Sequence, residues 1–137
     1  MSNATILIAD DEPVVREYIG NILRKEGFRL LEAIDGMDAL EQLDKSREQV
    51  DLLVTDIRMP RLDGISLAHT IAEQYPRTPV IYLSGYSFDL QEERIRHPNL
   101  PCAFLAKPFS RADLVDAVRK CLEKPGPRAS GNRKSGA

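Results

Sequence analysis

Several apolar runs in this 137-residue sequence stop on residues able to do chemistry. "TILIA" runs into Asp10 and Asp11, "LLVT" into Asp56, "VIYL" into Ser84 and "AFLA" into Lys107. If those runs end side by side, three carboxylates, a hydroxyl and an ammonium meet. Carboxylates brought that close raise one another's pKa unless a cation intervenes. A hard divalent ion suits them, because Mg²⁺ takes oxygen ligands, keeps several waters and accepts a phosphate oxygen. The metal and Lys107 would offset charge on a transferring phosphoryl group, Ser84 would donate a hydrogen bond to it, and a carboxylate could be the nucleophile. Asp56 stands alone at the end of its run and is the nucleophile candidate. The paired Asp10 and Asp11 are better suited to holding metal.

Whether these groups meet depends on the elements that carry them. After a strand at Thr5 to Ala9, Pro13 suits a first helical position. Val14, Val15, Tyr18, Ile19, Ile22 and Leu23 then recur at helical spacing until Gly27 stops the helix. A second strand, about Phe28 to Ala33, has the look of an outer strand. It leads to Asp35 as the cap of a helix carrying Met37, Leu40 and Leu43. The third strand is Leu52 to Thr55, after which Asp63 caps a helix with Ile65, Leu67, Ala68, Ile71 and Ala72 on one side, ended by Pro76. Val80 to Leu83 and Ala103 to Ala106 give strands four and five. Ser110 with Asp113 forms a capping-box pattern before a last helix bearing Leu114, Val115, Val118, Cys121 and Leu122. Between strands four and five the helical pattern is brief, around Leu90 to Arg96, before Pro98 and Pro101 break it, which predicts a short fourth helix and an irregular loop.

This alternation predicts an α/β fold with a doubly wound, five-stranded parallel sheet and five helices, since parallel neighbours need crossovers and the crossovers here are helical. In such sheets ligands bind outside the carboxyl ends of the strands. That edge is where Asp10, Asp11, Asp56, Ser84 and Lys107 stand.

At these residues the sequence resembles a known family. "ILIADDE", "LLVTDIRMPRLDG", "VIYLSGY" and "FLAKPF" are similar, in order and spacing, to the signature segments of the receiver domain of two-component response regulators, over roughly Thr5 to Glu123. The resemblance implies the strand order 2-1-3-4-5 and a cis peptide between Lys107 and Pro108. It implies that Asp56 is the phospho-acceptor for a phosphohistidine on a partner histidine kinase or phosphotransfer protein. Asp10 and Asp11 then match the family's metal-site acids, Asp11 being the more direct ligand, with the backbone carbonyl of Arg58 and Asp56 itself completing a Mg²⁺ site. Ser84 and Lys107 occupy the positions of the family's hydroxyl and phosphate-contacting lysine. Ser84 and Phe104 hold its switch positions, Phe104 lacking the hydroxyl of a tyrosine. Arg58 and Tyr86 lie where the lifetime of the aspartyl phosphate is tuned, and their bulk implies partial shielding from water. The output would be a changed surface read by a downstream protein, so the chain is expected to be a signalling switch and not an enzyme in its own right. The stretch from Ser84 to Phe109 is similar to receivers at the ends of hybrid kinases.

Taken singly, these residues have blander readings. Asp56 could be a turn former, Asp10 and Asp11 helix caps, Ser84-Gly85 a turn and Lys107 a solvated charge. Their joint placement at one edge is what favours a phosphoryl site. His69 and His97 have no ligand set or triad partner in the sequence. A phosphohydrolase of the haloacid dehalogenase type would need an acid two residues after the nucleophile, where this chain has Arg58. A flavodoxin-like phosphate loop would be rich in Ser, Thr and Gly, whereas this first turn is "DDEP". The remaining alternative is a degenerate receiver acting as a phosphorylation-independent protein-binding module.

The totals set the frame. The length suits a single domain able to bury roughly two thirds of its surface without staples. Residues 5–124 are expected to form the receiver, 1–4 an N-terminal extension or scar, and 125–137 a disordered basic tail rich in Pro, Gly and Ser. The tail holds Arg128, Arg133 and Lys134 and no acid, so the net charge of -2 leaves an acidic body, which argues against direct nucleic-acid binding. No apolar stretch reaches a membrane span and no signal peptide is visible, so a soluble, cytoplasmic protein is expected. Cys102 and Cys121 lack the spacing of a paired metal motif and are read as buried free thiols.

Overall fold

In strands β1 (Thr5–Ala9), β3 (Leu52–Asp56) and β4 (Val80–Ser84) every residue is buried, as strands covered on both faces must be. They form the centre of a computed structural model that describes residues 4–46, 49–85 and 102–123. The outer strands are β2 (Arg29–Ala33) and β5 (Ala103–Ala106), and the helices are α1 (Pro13–Lys25), α2 (Gly36–Lys45), α3 (Gly64–Gln74) and α4 (Arg111–Glu123). The sheet is parallel throughout, in the order β2-β1-β3-β4-β5 expected above.

Alternation along each strand divides the core in two. Leu7, Ala9, Leu53 and Tyr82 pack with Ala39, Leu43, Leu67, Ala68 and Ile71 of α2 and α3. Ile6, Ile8, Leu52, Val54, Ile81 and Leu83 pack with Ile19, Leu23, Leu114 and Val118 of α1 and α4 on the other face.

Local signals set the helix ends. Pro13 opens α1, and Gly27, at a φ of 93°, closes it as Gly27 and Phe28 donate their N–H groups to the Arg24 and Leu23 carbonyls. Asp35 caps α2 by accepting from Asp38 N–H at 2.8 Å, and Asp63 caps α3 by accepting from Ser66 N–H at 2.8 Å. Ser110 and Asp113 bond reciprocally before α4, at 3.0 and 3.2 Å. The Lys107-Pro108 peptide is cis.

Some boundaries shift. β3 and β4 each extend one residue further than expected, so Asp56 and Ser84 are the last residues of their strands rather than the first beyond them, while β2 begins at Arg29. Four helices stand among the described residues; the helix expected around Leu90 to Arg96, Tyr86, His97 and the basic tail lie outside them. The reading of Cys102 and Cys121 as free thiols is corrected: they form a disulfide. Cys102 immediately precedes β5 and Cys121 lies on the α4 face turned to the sheet, so their Cα atoms stand 6.0 Å apart, within a disulfide's reach. The 19-residue separation in sequence conceals this, because α4 folds back over β5.

Candidate functional site

Parallel register brings the strand ends level. Ala9 pairs with Thr55, Asp56 with Leu83 and Ser84 with Ala106, so the residues that end or follow these strands share one edge of the sheet. The carboxylates of Asp10, Asp11 and Asp56 gather there within 4.8 Å of one another. Asp10 is fully buried, Asp56 is 7% exposed and Asp11 faces solvent. Lys107, half-buried, reaches into the cluster from the end of β5. Its Nζ lies 3.3 Å from Asp10 Oδ2, 3.4 Å from Asp56 Oδ2 and 3.6 Å from Glu12 Oε1.

Backbone donors fix the two buried acids. Glu12 N–H donates to Asp10 Oδ1 and Ile57 N–H to Asp56 Oδ1, both at 2.9 Å. Asp10 therefore does not cap α1; Glu12 is the N-cap residue and no side chain caps that helix. The chain after β3 is held close by Gly64, where any Cβ would overlap the Asp56 carbonyl oxygen, and Gly64 N–H donates to the Ile57 carbonyl at 2.8 Å.

One ammonium faces more carboxylates than it can neutralise. Burial, with the Asp10 charge adding to it, pushes the Asp56 carboxyl up to about 6 against the pull of Lys107 and the Ile57 N–H. Burial also raises Asp10, opposed by the Glu12 N–H and Lys107. Burial works to lower Lys107, but Asp10, Asp56 and Glu12 outweigh it and hold the ammonium above its ordinary range. Two buried carboxylates at the mouth of an all-oxygen cluster fit a hard divalent cation such as Mg²⁺, which would relieve this strain in charge.

The sequence matches the response regulator receiver domain over residues 6–119. The chain belongs to that family. The sensor kinase CckA of Brucella abortus (strain 2308) is 35% identical over 126 residues, covering 89% of this chain and 13% of CckA. The response regulator receiver protein CpdR of the same organism is 32% identical over 117 residues, covering 85% of this chain and 95% of CpdR. A crystal structure of the signal receiver domain of an HD domain-containing protein from Pseudomonas fluorescens Pf-5 aligns with a TM-score of 0.81 at 30% identity, covering 88% of this chain and 95% of that one. The chain spans about half the length of several other regulators that it matches.

In this receiver domain the Ser84 hydroxyl, 4% exposed as a residue, donates to the Gly85 carbonyl at 2.8 Å. Phe104 is half-buried and meets Tyr82 edge-on, ring centroids 6.0 Å apart. Arg58 is exposed. Other contributors were not singled out from sequence. Arg16 Nη1 donates to the Asp10 carbonyl at 2.8 Å; an arginine this near a helix start, where the dipole disfavours a cation, was the signal that could have found it. Arg61, at a φ of 70°, forks onto Asp35 at 2.8 and 3.1 Å and ties the loop after Asp56 to the start of α2. No local pattern announces a pair 26 residues apart.

Proposed function

We propose that this receiver domain accepts a phosphoryl group on Asp56 from a phosphohistidine of a partner histidine kinase or phosphotransfer protein, and signals by conformational switching in a two-component phosphorelay. The observation that carries this reading is the acidic cluster of Asp10, Asp11 and Asp56 closed around Lys107 at the carboxyl edge of the sheet.

Mg²⁺ would be held by the carboxylates of Asp10, Asp11 and Asp56 and the backbone carbonyl of Arg58, and would supply charge neutralisation for an incoming phosphate. The protein supplies the rest. Ile57 N–H anchors Asp56 Oδ1 and leaves Oδ2, beside Lys107, as the attacking oxygen. Its O–P bond forms as the donor's P–N bond breaks, and the imidazole nitrogen takes the electron pair. Lys107 stays protonated throughout and balances the added charge. Ser84 turns from the Gly85 carbonyl to donate to the phosphoryl group, and the half-buried Phe104 repacks with it. Arg58, exposed beside the site, slows loss of the phosphoryl group by screening it from water.

A macromolecular donor also needs a place to dock. An apolar cavity of about 640 Å³ lined by Val14, Val15, Tyr18, Pro108 and Phe109 adjoins Lys107, and Val14 is 78% exposed. That surface suits an apolar helix face of the donor.

The test is intact mass after incubation with a small acyl phosphate and Mg²⁺. Wild type is expected to gain one phosphoryl group, and Asp56→Asn or a chelated sample none. No gain in wild type would replace this reading with a phosphorylation-independent binding module.

A further inference from the structure

We propose that the Cys102–Cys121 disulfide is a reversible modification site, by which a thiol–disulfide couple of the glutathione class tightens or frees β5 and, through it, the proposed phosphoryl site. The functional half of this inference rests on the reading above; the chemical half does not.

The two cysteines differ in exposure. Cys102 is exposed, whereas Cys121 is 1% exposed in the core between α4 and the sheet. An incoming thiolate can therefore attack at Cys102 and expel the Cys121 thiolate inward, leaving a mixed disulfide that a second thiol resolves. In the forward direction the Cys102 thiolate attacks an external disulfide and releases one thiol, then the Cys121 thiolate attacks Cys102 Sγ and releases the other. The protein loses two electrons and two protons, and the external disulfide gains them as two thiols. Exchange depends on access to one sulfur, which the exposed Cys102 end of the bond offers, and a domain of this length needs no staple to fold.

The bond's position gives it leverage. β5 is a four-residue edge strand, and its residues are half-buried or exposed where those of β1, β3 and β4 are all buried. Cys102 stands at its entry, bonded through its N–H to the Val80 carbonyl at 2.8 Å; Phe104 is its second residue, and Lys107 follows its exit. A cavity of about 400 Å³ lined by Phe104, Asp116, Lys120 and the two cysteines lies beside the bond, leaving β5 and α4 room to move relative to each other. With the bond closed, the strand bearing Phe104 and Lys107 is tethered to α4. With it open, the sheet hydrogen bonds and side-chain packing hold that strand.

The test equilibrates the wild-type chain in glutathione buffers of graded ratio, alkylates it and reads intact mass. The expected result is a transition from no alkylated cysteines to two across the ratios found in cells. A pair that stays bonded, or stays free, across the series would overturn the proposal. Hydrogen exchange along residues 103–107 is expected to be slower in the oxidised form, and phosphoryl uptake from an acyl phosphate to differ about fivefold or more between forms. Cys102→Ser, an exposed replacement, should erase both differences. Equal exchange in the two forms would overturn the tether. Absence of uptake in both forms would overturn the phosphoryl reading alone, since alkylation and exchange do not depend on it.

Discussion

Asp56 carries a cost that a bound cation would relieve. Its carboxyl stands up at about 6 in the folded domain against an ordinary 3.8, so the folded state holds that proton more tightly than the unfolded one. Stability contributed by the protonated group is complete below about pH 4 and is lost as pH rises through about 6, a difference of at most about 3 kcal/mol. Asp56→Asn is accordingly expected to stabilise the metal-free domain at pH 7 and to flatten that limb, as read by urea unfolding across pH. Mg²⁺ is expected to raise the melting temperature of wild type and to do so far less for Asp11→Asn. Asp35 runs the other way: Arg61 holds its carboxyl below the usual range, so its contribution is present above about pH 4 and lost as pH falls through the lower folded value. That Asp10, Asp11, Asp56, Ser84 and Lys107 share one edge could be read from sequence because each ends or follows an apolar run, and a parallel sheet must bring such ends together. The hydroxyl direction of Ser84 could not, since one rotamer separates the Gly85 carbonyl from the open site.

The elements set how tightly that edge is built. Gly64 lets α3 begin against the Asp56 carbonyl, so Gly64→Ala must push the loop and the strand end apart. It is expected to cost about 1–3 kcal/mol in unfolding experiments and to slow phosphoryl uptake. Arg61→Ala should leave the sheet intact but loosen the loop after Asp56, visible as faster hydrogen exchange at residues 57–63 and weaker Mg²⁺ binding. Strand and helix positions and capping residues were legible because apolar period, Asp35, Asp63 and the Ser110–Asp113 box act over a few residues each, whereas the strand order came only with the family resemblance. The Asp35–Arg61 fork and the Cys102–Cys121 bond were not, because each joins segments that only the finished packing brings together. For the cysteines, the metal-motif spacing test had no bearing on a helix returning across a strand.

Across the whole molecule, the proposed phosphoryl site and the proposed docking surface lie side by side. Lys107, which contacts the carboxylate cluster, also lines the apolar cavity bounded by Val14 and Phe109. Val14→Asp is therefore expected to slow transfer from a phosphorylated histidine protein while leaving uptake from a small acyl phosphate near wild type, a split that kinetics with both donors would read. Among the described residues no helix is long and apolar enough to cross a membrane. The most direct measurement locates the phosphoryl group itself: phosphorylate wild type with an acyl phosphate and Mg²⁺, trap the acyl phosphate by borohydride reduction, and map the modified residue by peptide mass spectrometry. Reduction is expected at Asp56 alone, and none without Mg²⁺. Modification at Asp10, Asp11 or Ser84 instead, or none at all, would contradict it.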